Sequence, residues 1–196
     1  MTAPRGQLVV MSGPSGSGKT TIKNKLAQHP RIKLAISVTT RPQRNGEVDD
    51  KDYHFVTREE FLAMNEQGRF LETNDVFSNG HLYGSLRSEM EAALADADCV
   101  YLMEVDVTGA HNIKDATNDG TYVFIAPPSA EVLEQRLRRR ATDSDEAIER
   151  RLARAAEERR QAETDGSTIV VNEDVDQAVR DVLTLIGLEA NAGSPR

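Results

Sequence analysis

The sequence predicts an α/β fold in which helices flank a parallel sheet, with a small β-rich lobe and a helical lid inserted into it. Short apolar runs that suit buried strands alternate with stretches of helical periodicity, which is the pattern of a parallel sheet covered by helices. These runs are residues 8–11, 100–105, 121–125 and 168–171. Two stretches, 37–87 and 137–161, break the alternation and predict the two insertions.

Length and composition fit one globular domain. The chain has 196 residues, of which 38% are hydrophobic, and a formal net charge of −8. The acidic surplus disfavours a general nucleic-acid binder. No stretch approaches the roughly 20 apolar residues of a membrane span, and the first residues lack the apolar middle of a signal peptide. We therefore expect a cytoplasmic protein, a monomer or weak homo-oligomer, that binds neither nucleic acid nor membrane.

The first apolar run leads directly into a glycine-rich loop, and Thr21 to Gln28 then have a helical pattern. The loop residues are Gly13, Pro14, Ser15, Gly16, Ser17, Gly18, Lys19 and Thr20. Glycines let successive backbone N–H groups point at phosphate oxygens, and the helix adds the positive end of its dipole. This strand, loop and helix together match the P-loop and indicate a nucleoside triphosphate site, where Lys19 would reach the β- and γ-phosphates and Thr20 a Mg²⁺ ion.

The next stretch is polar and predicts a β-rich lobe. Turn signals such as Asn45-Gly46 separate short alternating runs such as residues 53–56. Thr57, with Glu60 three residues later, has the spacing of a capping box and predicts the start of a helix.

The apolar run from Val100 ends in two carboxylates, Glu104 and Asp106. Ligands of parallel sheets bind at the carboxyl ends of strands, so these acids would lie beside the nucleotide. Residues two apart on a strand share a face, so the pair would hold Mg²⁺ through water or contact an acceptor substrate. The alternative is a strand end that turns polar on reaching solvent. Cys99, at the start of the run, is expected to be a packing residue.

The stretch 137–161 predicts two helices that meet at a polar corner near residues 141–143, with Thr142 and Ser144 as possible caps. Nine arginines and eight acidic residues fall between residues 131 and 160. Such mixing is typical of a solvated surface held by salt bridges, although some of the arginines would face a phosphate site. Two insertions on one core suit a clamp that closes over two substrates and expels water.

These motifs together make the chain resemble guanylate kinases over nearly its whole length. The resemblance rests on separated segments in one order, namely 12–21, 37–47, 52–55, 70–72, 82–85, 104–106, 125–129 and 151–153. It implies a P-loop kinase fold with a GMP-binding lobe at 37–88 and a lid at 136–163. The remaining divisions would be a core at 1–36, 89–135 and 164–190 and a disordered tail at 191–196.

The resemblance also implies an activity and its site residues. The γ-phosphoryl of ATP would pass to GMP, and to dGMP, giving ADP and GDP with Mg²⁺ as cofactor, in purine nucleotide metabolism. The residues around GMP would be Ser37, Glu72, Tyr83, Ser85 and Asp106, with Arg41, Arg44 and Tyr53 on its phosphate. ATP would contact the loop, Thr21 and Asn172, and the catalytic cations would be Lys19, Arg136, Arg140 and Arg151.

Elementary chemistry agrees with this assignment. A monophosphate dianion suits the guanidinium forks of Arg41 and Arg44. Guanine presents N1–H and N2–H₂ donors along one edge, and the Glu72 carboxylate is a matching acceptor. The acceptor is already an anion, so no general base is required. His54 and His81 are therefore expected on the surface or in packing roles. The arginines expected to be solvated surface only are Arg138, Arg139, Arg150 and Arg154.

Two other function classes stay open at this stage. A related kinase could phosphorylate a sugar phosphate such as ribose 1,5-bisphosphate, which the long loop before Tyr83 favours, whereas Arg41 and Glu72 suit a nucleotide. A non-catalytic binding module is the other class, and the intact Gly18-Lys19-Thr20 sequence argues against it. A signalling GTPase is disfavoured because the chain has no guanine-recognising Asn-Lys-x-Asp run.

Overall fold

The computed structural model describes residues 5–75, 80–117, 119–139 and 144–188, and it has the predicted α/β architecture. The strands are β1 (Gln7–Ser12), β2 (Ile32–Leu34), β3 (Val38–Thr39), β4 (His54–Phe55), β5 (Phe70–Asp75), β6 (Leu82–Leu86), β7 (Val100–Glu104), β8 (Thr121–Ala126) and β9 (Thr168–Val171). The helices are α1 (Lys19–Leu26), α2 (Arg58–Glu66), α3 (Arg87–Leu94), α4 (Val107–Thr117), α5 (Ala130–Arg139), α6 (Asp145–Thr164) and α7 (Val175–Leu185).

Five strands form a parallel sheet in the order β2-β7-β1-β8-β9. The central strand, β1, is buried on both faces. Val9 and Met11 pack into the cluster that includes residues of α1 and α7, whereas Leu8 and Val10 pack into the cluster on the other face, with residues of α3 and α4. This double burial explains why the sequence of β1 is an unbroken apolar run rather than an alternating one.

The polar stretch between the first and third strands of the large sheet folds into a second, four-stranded sheet. Its order is β4-β3-β6-β5, with β3 parallel to β4 and antiparallel to β6. Its core is small: Val38, Phe61 and Phe70 are buried, and the two phenyl rings stack with centroids 4.5 Å apart. The predicted capping box is present, because Thr57 accepts from the backbone of Glu60 and the Glu60 carboxylate accepts from the backbone of Thr57.

Helices α5 and α6 pack on each other through Leu133, Leu137, Ile148 and Ala155. The predicted cap is correct, since Ser144 accepts a hydrogen bond from the backbone N–H of Ala147 at the start of α6. The polar corner predicted at residues 141–143 and the tail at 191–196 lie outside the described residues. Among those that are described, no helix combines the length and the apolar composition that crossing a membrane requires.

The structure differs from the sequence predictions at β2 and at the start of α1. Strand β2 was missed, because three residues are too few to show a pattern. Helix α1 begins at Lys19, two residues before the predicted start, because Gly18 already takes the cap position. Lys19 is thus the first residue of α1.

We expect the small sheet to depend on its aromatic stack. Phe61 is 2% exposed, so Phe61→Ala removes a buried ring from a core of few residues, and the free energy of unfolding should fall by about 3 kcal/mol or more. The neighbouring Leu62 is 44% exposed, and Leu62→Ala is the matched control with an expected loss below about 0.5 kcal/mol. Urea unfolding measures both, and equal losses would contradict this account of the lobe.

Candidate active site

The glycine-rich segment forms a tight loop between the end of β1 and the start of α1. Its backbone turns at Gly13, Gly16 and Gly18, which have φ of 142°, 92° and 96°, values that L side chains rarely adopt. The backbone N–H of Ser17 donates to the carbonyl of Pro14 at 3.1 Å and closes the loop. We call residues 13–20 the phosphate loop.

Lys19 extends back across the phosphate loop. Its Nζ atom donates to the carbonyl oxygens of Gly13 at 2.5 Å and of Pro14 at 3.0 Å. The ammonium group therefore lies over the concave side of the loop, where phosphate oxygens bind in sites of this kind.

Asn172, which follows β9, supports the phosphate loop through a side-chain hydrogen bond. Its side chain is 1% exposed, and Nδ2 donates to the carbonyl of Ser17 at 2.6 Å. A Cβ atom on Gly18 would lie 2.2 Å from the same Nδ2 atom, so only glycine fits there. Two buried oxygens of this region, Ser17 Oγ and Asn172 Oδ1, make no hydrogen bond within the described part of the chain.

Helices α5 and α6 each bring an arginine to the phosphate loop. Arg136 donates to the carbonyls of Ser17 at 3.3 Å and Asn172 at 3.0 Å. Arg151 donates to Ser15 Oγ at 3.1 Å. Arg140, the third predicted lid arginine, lies outside the described residues. The loop is therefore contacted by cations from three helices, with Lys19 at the start of α1.

The two acids after β7 turn to different partners. Glu104 forms an ion pair with Lys23 of α1, with Oε2 2.8 Å from Nζ. Its Oε1 atom lies 3.4 Å from Thr20 Oγ1. Asp106 lies on the other side, next to the small sheet. The strand ends at Glu104, so the alternation that predicted a shared face ends there too. Glu104 therefore lies beside the phosphate loop, and Asp106 lies beside the small sheet.

Glu72 of β5 is the most perturbed carboxyl group of the cleft. It is 9% exposed and accepts a hydrogen bond from Ser85 Oγ of β6 at 2.8 Å. Burial raises the pKa of Glu72 to about 7; the Ser85 hydrogen bond opposes the rise, and the negative charge of Asp106 adds to it. A Cβ on Gly109 would lie 3.4 Å from Glu72 and 3.3 Å from Asp106, so a glycine leaves the space between the two carboxyl groups open.

Asp106 connects three parts of the molecule. Both of its oxygens accept from Asn74 Nδ2 of β5 at 2.8 Å, and Oδ1 also accepts from the backbone N–H of Gly109 in α4. From α6, Arg154 Nη2 lies 3.6 Å from Oδ2. The Arg154 side chain is 45% exposed, as predicted for solvated surface, and it also reaches this carboxylate. Asn74 and Arg154 carried no local sequence signal, because their partner is distant in the chain.

An arginine and two tyrosines form the remaining wall of the cleft. Arg41 makes a two-pronged ion pair with Glu47, at 2.8 and 3.0 Å, and its guanidinium lies 5.2 Å from the ring centre of Tyr53. The Glu47 hydrogen bond is the main cause that raises the pKa of Arg41. The ring of Tyr83 stands edge-on to Tyr53 with centroids 6.1 Å apart. The side chain of Arg44 is exposed, and its backbone N–H donates to the same Glu47 carboxylate.

Charged residues of the large-sheet side act on this wall. Burial is the main cause that raises the pKa of Tyr53, and the charges of Lys23 and Glu104 also act on it. Those two residues belong to α1 and β7 of the large-sheet side. The predicted site thus combines a phosphate loop contacted by cations with a mixed wall of arginine, tyrosine and carboxyl side chains.

The described structure brings the predicted site residues into two groups. The first surrounds the phosphate loop and includes Arg136, Arg151 and Asn172, with Thr21 exposed on α1. The second, which we call the acceptor site, is linked by contacts on and beside the small sheet and consists of Ser37, Arg41, Arg44, Tyr53, Glu72, Tyr83, Ser85 and Asp106. Their individual roles stay predictions.

Comparison with known proteins identifies the class to which this architecture belongs. The family model described as guanylate kinase matches residues 5–189. A guanylate kinase of Synechocystis sp. is 43% identical over 189 residues, covering 96% of this chain and 97% of the relative. One of Nitratidesulfovibrio vulgaris is 45% identical, covering 88% of this chain and 82% of the relative.

A solved structure agrees with the sequence comparisons. The crystal structure of guanylate kinase from Anaplasma phagocytophilum has a TM-score of 0.74 and 33% identity, covering 94% of this chain and 86% of its own. Both the fold and most of the length of the chain are therefore shared with these enzymes. The chain belongs to the guanylate kinase family.

Proposed function

We propose that this protein transfers the γ-phosphoryl group of ATP to GMP, giving ADP and GDP. The observation that carries the proposal is that one site combines a phosphate loop contacted by cationic side chains with a wall that has both an arginine fork and a buried carboxyl group. The fork suits the phosphate of a nucleotide, and the carboxyl group suits guanine. A sugar phosphate has no base edge that would use Glu72.

On the donor side, the phosphate loop would hold the triphosphate of ATP. Lys19 would leave the carbonyls of Gly13 and Pro14 and follow the β- and γ-phosphates, because an anion is a stronger partner than a neutral carbonyl. Arg136 and Arg151 already contact the loop, and with Arg140 they would neutralise charge on the transferred group. Asn172 is proposed to lie close to the adenine of ATP.

Mg²⁺ is proposed as the cofactor that enters with ATP. The oxygens of Thr20 and Glu104 lie together beside the loop, and within the described residues no group of three or more His, Cys, Asp or Glu side chains forms a metal cage. This donor set fits Mg²⁺, which keeps several waters and takes other ligands from substrate phosphates. When bound, the ion neutralises charge on the phosphates. Thr20 would supply a protein oxygen, mostly through water.

On the acceptor side, Glu72, Ser85 and Asp106 would hold guanine, and Arg41, Arg44 and Tyr53 its phosphate. Glu47 occupies the Arg41 fork in this structure, so the GMP phosphate would share or replace that carboxylate. The phosphate of GMP is itself the nucleophile, and the protein acts by positioning and charge neutralisation rather than by removing a proton. The lobe at 37–88 and the lid at 136–163 are proposed to close over both substrates and exclude water.

Use of dGMP is a further proposal, because the proposed contacts engage the base and the phosphate rather than the ribose. A monomer or weak homo-oligomer and a cytoplasmic setting stay predictions from the sequence. Turnover assays with GMP, dGMP, AMP and ribose 1,5-bisphosphate, each with Mg·ATP, test the acceptor directly. Turnover with the sugar phosphate alone would overturn the proposal.

Lys19→Met should abolish turnover while the protein stays folded. Methionine keeps the length of the side chain but removes the charge that follows the transferred phosphoryl group, and we expect kcat to fall by about a thousandfold or more. Lys25→Met is the matched control, since Lys25 lies on the same helix and pairs with Asp176 at the surface. Near-normal coupled-assay activity of the Lys19 variant would contradict the assignment of the phosphate loop.

Glu72→Gln should lower kcat/KM for GMP by about a hundredfold or more, because an amide replaces the charged acceptor and leaves guanine donors poorly paired. The KM for ATP should change little. Glu91→Gln, an exposed change on α3, is the control. If selectivity for GMP over AMP stayed unchanged in the Glu72 variant, base recognition would have to lie elsewhere.

The value of kcat/KM for GMP should rise with pH as Glu72 ionises, through its raised pKa of about 7. The sign follows from the chemistry: below this pH the carboxyl is protonated and accepts fewer hydrogen bonds from guanine, and kcat/KM reports the free enzyme. The GMP phosphate titrates near pH ~6 in every variant, so the test is the difference from Glu72→Gln, which lacks the ionisable group. Parallel pH profiles of the wild type and Glu72→Gln would contradict this role of Glu72.

A further inference from the structure

His54 of β4 lies between two carboxylates. Its Nδ1 atom is 2.7 Å from Asp50 Oδ1, in the loop before β4, and its Nε2 atom is 2.8 Å from Glu89 Oε1, on α3. Both distances are those of short, charge-assisted hydrogen bonds. The sequence predicted a surface or packing role for this histidine. In the structure its ring also makes hydrogen bonds to two carboxylates.

A further hydrogen bond links Glu89 to the large sheet. Tyr101 of β7, a buried residue, donates from its hydroxyl to Glu89 Oε2 at 3.4 Å. Glu89 thus has one oxygen toward the small sheet and the other toward the large one. His54, Glu89 and Tyr101 form a polar bridge between the two sheets, and we call these three residues with Asp50 the lobe bridge.

The geometry requires a protonated histidine. A neutral imidazole has one N–H donor and one acceptor nitrogen, whereas an ionised carboxylate only accepts, so donation to both acids needs both ring nitrogens protonated. Burial acts to lower the pKa of His54, but the hydrogen bonds and charges of Asp50 and Glu89 outweigh it, and the net pKa is raised. Those two acids, from its own loop and from α3, are the charged groups acting on the ring.

The lobe bridge stands directly behind the acceptor site. The flanking residues Tyr53 and Phe55 both lie against the Arg41 guanidinium, with ring centres 5.2 and 5.7 Å from it. The backbone N–H of His54 donates to the carbonyl of Ser37 at 3.0 Å. The ring of His54 therefore fixes a backbone segment that carries one proposed GMP contact and hydrogen-bonds to another.

Asp50 adds a second tie to this segment. Its backbone N–H donates to the carbonyl of Tyr53 at 2.9 Å, and its φ is +61°. A non-glycine residue in this left-handed region is strained and persists when surrounding contacts hold it. The hydrogen bond from His54 is such a contact, so losing the charge on the ring would also release the loop.

We propose that the His54 imidazolium, held between Asp50 and Glu89, is a positioning residue that fixes Tyr53 and Ser37 for GMP. The inference rests on the proposed function, because it concerns the same acceptor site. His54 does not touch substrate; it acts through the backbone of β4. When the ring loses a proton, one of its two hydrogen bonds is lost, β4 loosens, and GMP binds less tightly while the donor side is unaffected.

The test is the pH dependence of KM for GMP between pH 6 and 9, at saturating Mg·ATP. Wild-type KM should rise at alkaline pH, whereas His54→Gln, which keeps one donor but no titratable charge at this position, should have a higher KM without the alkaline rise. The changes on the acid side, which come from Glu72 and the GMP phosphate, should be common to both proteins. At pH 6.5 the variant KM should exceed wild type by roughly tenfold, the scale of a partly exposed charge-assisted hydrogen bond. The value of kcat and the KM for ATP should change by less than about twofold.

His111→Gln is the matched control. His111 also lies near two carboxylates, Asp115 at 3.5 Å and Asp165 at 3.2 Å, but on α4 and after α6 rather than behind the acceptor site. It should keep the wild-type profile. Equal effects of the two variants, or an unchanged KM for GMP in His54→Gln, would overturn the proposal.

A measurement on the unaltered protein avoids dependence on the folding of a variant. In ¹⁵N NMR of the imidazole nitrogens at pH 7, both nitrogens of His54 should be protonated, and a neutral tautomer would overturn the proposal. Failure of the wild type to phosphorylate GMP at any pH would instead remove the proposed function. The two failures are therefore distinguishable.

Discussion

The burial of β1 on both faces is the constraint on which the rest of the molecule depends. Its alternate side chains fill the two cores on either side of the large sheet, so the strand has no freedom to move relative to either. The phosphate loop leaves this strand at Gly13 and enters α1 at Lys19, and Asn172 closes it from below. A loop fixed at both ends and underneath can present its N–H groups without paying ordering entropy when phosphate arrives.

Lysine and arginine side chains contact the phosphate loop, where a triphosphate would bring negative charge. On the acceptor side, burial raises the pKa of Glu72 and the negative charge of Asp106 adds to the rise, so donors from a bound base would relieve the repulsion between the two carboxyl groups. The same charges that cost stability in the free protein therefore favour a ligand with hydrogen-bond donors at one end and a phosphate at the other.

Sequence reasoning succeeded where the chemistry is local. The glycine positions of the phosphate loop, the Thr57 capping box and the double-faced strands each follow from neighbours in the chain. It failed where distant segments meet: 32 residues separate Asn74 from Asp106, and nothing near Arg154 indicates that α6 brings it to the same carboxylate. The expected shared face of Glu104 and Asp106 failed for another reason, because the strand ended at the first acid and its alternation ended with it.

The small sheet shows why polar contacts matter most at the moving part. Its own buried core contains only a few residues, chiefly Val38, Phe61 and Phe70 among those described. Leu71 of β5 packs into a core of the large sheet, and polar bridges such as His54 to Glu89 and Asn74 to Asp106 join the two sheets as well. Hydrogen bonds are directional and exchange readily with water or ligand, whereas a packed apolar interface resists sliding. Hydrogen bonds of this kind between the sheets are compatible with the proposed closure of the lobe over its substrates.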